Sequence, residues 1–384
     1  MPIPVLHPIT RFIIGGAQEN TMLTCDMLDK SQWQAEAICG PQTGLEGSLI
    51  EEVRKRGIPL IIDNALVREI HPAKDLIAFV QLFRLMKRNR YSIVHTHSSK
   101  AGILGRWAAW LAGVPIIVHT VHGWGHTEYQ HPLIRNVYIA LEKISLKITD
   151  QLITVSPRDI EKGIADGIGT DDDYVVIRSG VEMDRFGHPQ TPPEQIRATL
   201  NIPSGVPVIG TVIRMSPQKA PLDYIQAMGI VAQKFPTAYF VIVGDGPLRP
   251  QVEQLAIELG ISDRLILTGL RRDVPELMAI FDIFVLTSLW EGLPRVLPQA
   301  MATGLPIVAT AIDGNAEAVV DGKNGYLVPP KTPTAVAEAV INLLTNTELA
   351  TEMGRTGRKM AHEFSARKMV DDIEQLYTRL IKHV

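Results

Sequence analysis

Cysteine is almost absent: Cys25 and Cys39 are the only two in 384 residues. Two thiols cannot build the disulfide framework that staples small secreted domains, so stability must come from buried apolar area, and a reducing cytosol fits. Both read as small apolar packing groups. Neither sign of charge is in excess. Lys and Arg number 38 against 41 Asp and Glu, a formal net charge of -3, which argues against nucleic-acid binding by bulk electrostatics. No uncharged apolar run reaches the roughly 18 residues of a membrane span. The opening Met1-Pro2-Ile3-Pro4 lacks a charged region followed by a long apolar run, so no secretion signal is expected. No Gly-x-Gly-x-x-Gly follows the first apolar strand, which weakens a dinucleotide reading. No Asp-x-Asp ends a strand; Asp171-Asp172-Asp173 precedes the strand Val175-Val176-Ile177 and reads as a solvated loop.

What is present is length and alternation. A chain of 384 residues exceeds one typical core, so two domains are expected. Strands are expected at Val5 to His7, Ala35 to Cys39, Leu60 to Ile62, Ile93 to His95, Ile116 to Val118 and Gln151 to Ser156. Helical patterns fall between them, as at Asp75 to Asn89, with apolar residues at Leu76, Phe79, Val80, Phe83 and Met86. Such alternation implies a parallel sheet with helices on both faces. The pattern restarts at Val208 and continues through Tyr239, Leu265, Ile283, Ile307 and Gly325. Between the halves lie Pro189, Pro192, Pro193 and Pro203, a linker signature. The expected division is therefore a first domain over 1–187, a linker over 188–204, a second domain over 205–365 and a closing helix over 366–384.

Chemistry concentrates at strand ends. The strand Ile283 to Leu286 runs into Thr287-Ser288-Leu289-Trp290-Glu291-Gly292-Leu293-Pro294-Arg295, and a short helix follows. Ligands of open α/β sheets sit beyond the carboxyl ends of strands. Here a carboxylate, Glu291, stands beside Gly292, which permits close backbone approach, and Leu293. Pro294 suits a first helical position. The free N–H groups of the helix start form an anion site. After the strand Val208 to Thr211 come Arg214 and Lys219, a bidentate fork and a point charge able to converge on a diphosphate. Gly15 and Gly16 open a helix after the first strand and can bring backbone N–H groups against a phosphate or sugar. His95, His97, His119 and His122 cluster at two strand ends. They lack a helical i, i+4 pairing and a companion carboxylate or thiol, so no metal is expected there.

The stretch around Glu291 resembles the donor-site signature of family-4 retaining glycosyltransferases of the two-domain GT-B type. That family carries two glutamates with seven residues between them; Glu291 matches the first, and Gln299 occupies the place of the second. The likeness covers nearly the whole chain. It implies an α/β fold of two Rossmann-like parallel-sheet domains facing across a cleft, with the last helix crossing back to the first domain. It implies a nucleotide-diphosphate sugar donor, with the diphosphate held by Arg214 and Lys219. Glu291, Gly292 and Leu293 would then hold the sugar, His122 would contact it, and Gly15 and Gly16 would face the donor. Gln299 would pair with the ribose hydroxyls, and Leu270 and Arg272 would lie near the base. Ala220-Pro221 departs from the glycine that usually follows the lysine.

The expected activity is retaining transfer of a sugar to a glycan or lipid-linked acceptor, in surface polysaccharide or lipopolysaccharide assembly, with no metal or other cofactor. Two alternatives stay open: a nucleotide-sugar epimerase of the same fold, and a non-catalytic nucleotide-sugar-binding protein, for which Gln299 speaks. From Glu51 to Lys147 there are 14 Lys and Arg against 7 Asp and Glu. That local excess suits an anionic lipid surface. The expected place is the cytoplasm, including the inner face of the plasma membrane.

Overall fold

The computed structural model describes residues 2–42, 47–126, 130–312 and 314–382. The chain forms two compact units, Met1–Gly180 with Ala366–Val384, and Val181–Ser365. The first unit holds seven strands: β1 (Ile3–Pro8), β2 (Trp33–Cys39), β3 (Leu60–Ile62), β4 (Ile93–His97), β5 (Ile116–Val121), β6 (Gln151–Thr154) and β7 (Tyr174–Val176). All pair in parallel, in the order β3-β2-β1-β4-β5-β6-β7. Their sequences read as near-continuous apolar runs because helices cover both faces. On one face pack the helices Pro72–Asn89 and Ser99–Ala112, with Leu82, Met86, Ala108 and Ala109 against Leu6 and Val94.

The last helix, Ala366–Ile381, completes the core on Val5, Ile93 and Val118 with Met369, Ile373 and Tyr377. Cys25 and Cys39 are buried in this unit, and burial pushes both thiols well above their ordinary range.

The second unit repeats the plan with six parallel strands: β8 (Val208–Val212), β9 (Tyr239–Val243), β10 (Leu265–Leu267), β11 (Ile283–Leu286), β12 (Ile307–Thr310) and β13 (Gly325–Val328). Their order is β10-β9-β8-β11-β12-β13. In each sheet the order reverses once, between β1 and β4 and between β8 and β11. A crevice opens at such a reversal because the flanking connections depart to opposite faces.

The unit boundary differs from the one expected. It lies at Gly180–Val181 rather than at 187–188, and residues 188–204 are not a bare linker. They contain the helix Pro193–Thr199, and Ile196 and Ile202 are buried in the core of the second unit. Of the four prolines that suggested a linker, Pro192 is the cap of this helix and Pro193 opens it, where a missing N–H costs no hydrogen bond. Asp171–Asp173 is a short 3-10 turn closed by a capping box with Thr170.

Candidate functional site

Of the residues expected around the donor, those of the second unit lie at the reversal point of its sheet. Two loops meet there: the one after β8, carrying Arg214 and Lys219, and the one after β11, carrying Glu291. Leu289 N donates to Gln218 O (2.8 Å), and Gln218 Nε2 donates to Trp290 O (2.9 Å). Thr287 Oγ1 donates to Lys219 O (3.1 Å) and Ala220 O (3.0 Å), fastening the loops from below. Lys219 Nζ forms an ion pair with Glu291 Oε1. The same carboxylate accepts from Ser288 Oγ (2.6 Å) and lies 3.4 Å from Gln218 Nε2. The Glu291 side chain is 7% exposed and that of Lys219 is 19% exposed, so this charge-assisted contact is shielded from bulk water and geometrically fixed.

Arg214 is exposed on the same loop. The loop is held by the turn Gly244-Asp245-Gly246: Ile213 N donates to Val243 O (2.9 Å) and Met215 N to Asp245 O (3.0 Å). Gly244 has φ +127°, and a Cβ on it would sit 2.0 Å from Ile213 O. Only glycine permits that conformation and approach. The turn is thus a structural support for the cationic loop.

Glu291-Gly292-Leu293 is supported from beneath in the same way. A Cβ on Gly314 would fall 1.3 Å from Gly292 O. Gly292 itself is exposed and has open space where a Cβ would be. Leu293 buries its side chain in the core, so only its backbone is offered to a ligand. The helix Val296–Thr303 starts with Arg295 as its N-cap, and no side chain caps it. Pro294 therefore precedes the helix rather than opening it. Pro298 lies in the first turn, where its missing N–H costs no bond. Gln299 follows in that turn, half-buried. Leu270 and Arg272, both exposed, follow Gly269 at the end of β10. This second-unit cluster thus gathers Arg214, Lys219, Glu291, Gly292, Leu293 and Gln299 around the β8/β11 ends, with Leu270 and Arg272 further along the same sheet edge.

Gly15, Gly16 and His122 belong to the first unit. Gly16 is the first residue of the helix Gly16–Met27, and Gly15 is its extended cap. This helix start follows β1, at the reversal of the first sheet. There Thr10 Oγ1 and Ser98 Oγ are 2.7 Å apart, joining the loops after β1 and β4. His122 follows β5, half-buried, with Nε2 3.1 Å from His97 Nδ1. His119 points elsewhere: it is buried, with Nδ1 on Thr96 Oγ1 (2.9 Å). The structure also brings in His7, which the spacing of the other histidines did not suggest. Ligand atoms of His7, His95 and His97 lie within 4.8 Å of one another. Burial holds all three imidazoles neutral, His7 pushed down to about 3 and the others well below the ordinary value. Their contacts form a hydrogen-bonded set that includes Thr120 and Tyr377.

Sequence reasoning missed three supports: Gln218, Gly314 and His7. A strand-end position was the available signal for His7. Nothing in the spacing marked Gly314, whose role depends on a backbone 22 residues away.

Residues 193–360 match the family described as glycosyl transferases group 1, and residues 15–180 match the glycosyl transferase 4-like domain. Over 382 residues, 99% of this chain and 97% of the relative, the sequence is 32% identical to the UDP-Gal:alpha-D-GlcNAc-diphosphoundecaprenol alpha-1,3-galactosyltransferase of Escherichia coli. The chain belongs to the group 1 glycosyl transferases. It is 24% identical to the capsular polysaccharide biosynthesis glycosyltransferase CapM of Staphylococcus aureus, over 83% of this chain and 87% of that one. In fold it is similar to Anabaena HepE, solved in complex with UDP and glucose. The TM-score is 0.84 at 21% identity, covering 98% of this chain and 100% of that one.

The fold is GT-B, as the resemblance implied. In this group 1 glycosyl transferase the paired loops after β8 and β11 are the part of the second unit with the chemistry for an anionic donor: a lysine, an exposed arginine, an open glycine backbone and an uncapped helix start. No helix among the described residues is long and apolar enough to cross a membrane.

Proposed function

We propose that this glycosyltransferase moves a hexose from a nucleotide-diphosphate sugar to a lipid-linked or glycan acceptor, with retention of anomeric configuration and without a metal. The carrying observation is the joining of the Arg214–Lys219 loop to the Glu291 turn at the β8/β11 reversal. Cleaving the bond from the anomeric carbon to the diphosphate builds charge on the departing oxygens. Fixed cations and oriented N–H groups lower the barrier where that charge develops. Arg214, Lys219 and the N–H groups at the Val296 helix start supply this potential. Lys219 bridges two tasks: its ammonium steadies Glu291 and stands ready for the diphosphate. Glu291 receives the sugar hydroxyls beside the backbone of Gly292 and Leu293. His122 meets the sugar, and Gln299 pairs with the ribose diol. Leu270 and Arg272 lie toward the base, and Gly15 and Gly16 toward the donor. The acceptor hydroxyl attacks on the face the leaving group vacates, and its proton passes to the departing diphosphate oxygen.

The lipid-linked acceptor is supported by the diphosphoundecaprenol substrate in the name of the E. coli relative. It is also supported by a surface of the first unit. The helix Pro132–Leu146 exposes Leu133, Ile134, Val137 and Ile144, and Lys87, Arg88 and Arg90 are exposed at the end of the helix Pro72–Asn89. Exposed apolar side chains on one helix and exposed cations on another suit peripheral binding to an anionic lipid surface. Both observations support a reading in which the enzyme works on the cytoplasmic face of the membrane, building a surface polysaccharide or lipopolysaccharide.

The test is Arg214→Ala and Lys219→Ala, assayed for transfer from a panel of UDP-, GDP- and ADP-sugars to undecaprenyl-diphosphate sugars. Each should cut turnover by about 10² or more with the fold intact, as loss of charge stabilisation does. Near-full activity in both variants would remove the diphosphate assignment. A new nucleotide sugar formed without acceptor would favour an epimerase, and binding without turnover would favour a sensor.

A further inference from the structure

Three side chains from two loops hold the Glu291 carboxylate. Lys219 Nζ pairs with Oε1, Ser288 Oγ lies 2.6 Å from the same oxygen, and Gln218 Nε2 lies 3.4 Å from Oε2. A carboxylate paired with an ammonium only accepts, so the Ser288 hydroxyl is the donor in its bond. At 2.6 Å this is a short, charge-assisted bond. The Gln218 contact is long by comparison, and that amide also donates to Trp290 O at 2.9 Å. Glu291 therefore has two strong anchors, Lys219 and Ser288.

The two anchors respond differently to a ligand. The Lys219 ammonium is also the group directed at the donor diphosphate. Once a diphosphate is bound, its three N–H donors are divided between two anions. Ser288 has no competing partner. Its carbonyl accepts from Thr310 Oγ1 (2.6 Å), and that hydroxyl accepts in turn from Asn315 Nδ2 (3.2 Å). Ser288, Thr310 and Asn315 are all buried. This run of bonds ties the loop after β12 to the loop after β11 and fixes the backbone that carries the Ser288 hydroxyl. None of its members has a charge for the diphosphate to pull on. Gly314, the neighbour of Asn315, lies against Gly292 O, so one short segment steadies the Glu291 turn at two points.

We propose that Ser288 is a positioning residue for Glu291: its buried hydroxyl keeps the carboxylate in place for the donor sugar when Lys219 is drawn to the diphosphate. This role rests on the proposed reading of Glu291 as the sugar contact and deepens it. Ser288 itself touches no part of the donor, and the nucleoside diphosphate alone does not depend on it.

The test compares two ligands by calorimetry on the full chain. One is the nucleotide sugar, among UDP-, GDP- and ADP-sugars, that the native chain turns over fastest; the other is its free nucleoside diphosphate. Ser288→Ala should weaken the nucleotide sugar on the order of tenfold, as loss of one hydrogen bond to a charged group does, and leave the nucleoside diphosphate within about twofold. Ser288→Cys keeps nearly the same shape but donates weakly, so it should lie near the alanine variant. A merely structural serine would behave otherwise. The loops after β8 and β11 are bonded to each other, so a collapsed Glu291 turn would weaken both ligands alike. Equal loss for both ligands, unchanged affinity in Ser288→Ala, or native affinity in Ser288→Cys would each overturn the proposal. Glu291→Ala keeps the two readings apart. Selective loss of the nucleotide sugar there, with none in Ser288→Ala, would remove the positioning role alone. No selective loss in Glu291→Ala would remove the sugar contact itself, and turnover of no donor at all would remove both.

Discussion

Acidification should unfold the first unit well before carboxylates are protonated. Burial holds His7, His95, His97 and His119 below the ordinary histidine value, His7 at about 3. In the unfolded chain each returns to about 6.5. Below that value the unfolded state binds the extra proton, so stability is complete above pH 6.5 and falls as pH drops. For His7 alone, integrating from 6.5 down to pH 5 gives about 2 kcal/mol lost. The other three act in the same direction, each adding up to about 1.4 kcal/mol per pH unit. A domain stable by about 5–15 kcal/mol cannot absorb several such terms. Two carboxyls of this unit, Asp63 and Asp150, are raised by desolvation. They oppose the trend, binding protons in the folded state as the pH nears the carboxylate range. Urea unfolding at pH 8, 6.5, 5.5 and 5, followed by signals from each unit, measures the effect. The first unit should lose stability over this range while the second changes little. His7→Phe should reduce the slope by about 1.4 kcal/mol per pH unit. Equal stability at pH 8 and 5, or an unchanged slope in the variant, would show that these histidines are not neutral in the folded state.

Three further outcomes are expected. Gln299→Glu should change donor affinity less than about tenfold, under ~1.4 kcal/mol, because regained charge assistance opposes repulsion of the diphosphate. Gln299→Ala should cost more by calorimetry, since the ribose hydroxyls lose both partners, and a Gln299→Glu variant active where the native protein is inert would mark a binding protein instead. Gly314→Ala should keep the fold yet lower kcat/KM about 10²-fold, as a misplaced Glu291 turn would; a fully active variant would show that the turn tolerates the shift. Charge reversal at Lys87, Arg88 and Arg90 should release the protein from anionic vesicles, each cation being worth about 1 kcal/mol at such a surface, and partitioning that is equal at low and high salt would contradict the membrane face.

The strands were legible because parallel, doubly covered strands must be apolar throughout, as Ile283-Phe284-Val285-Leu286 is. The candidate site residues stood out in the sequence by their chemistry at strand ends. The assembly of the site was not legible there. Lys219 and Glu291 are 72 residues apart and His7 and His97 are 90 apart, and each pair meets only because the sheet order reverses between their strands. Local sequence carries no term for that reversal. The misplaced boundary has a similar cause. Proline density reads as an open linker, yet Ile196 and Ile202 are buried, and two apolar anchors in a polar stretch were too sparse to outweigh it.

The first unit is discontinuous, and this bears on how the chain comes to be folded. Residues 181–365 form a complete contiguous unit, able to close as soon as they leave the ribosome. The first unit, synthesised earlier, must wait. Val5, Ile93 and Val118 stay without Met369, Ile373 and Tyr377 until the whole second unit has been made. Until then His95 also lacks the Tyr377 hydroxyl. Synthesis order and completion order are therefore inverted. Loss of the final helix would leave an open apolar face on a sheet otherwise assembled, the kind of surface that chaperones and proteases sort.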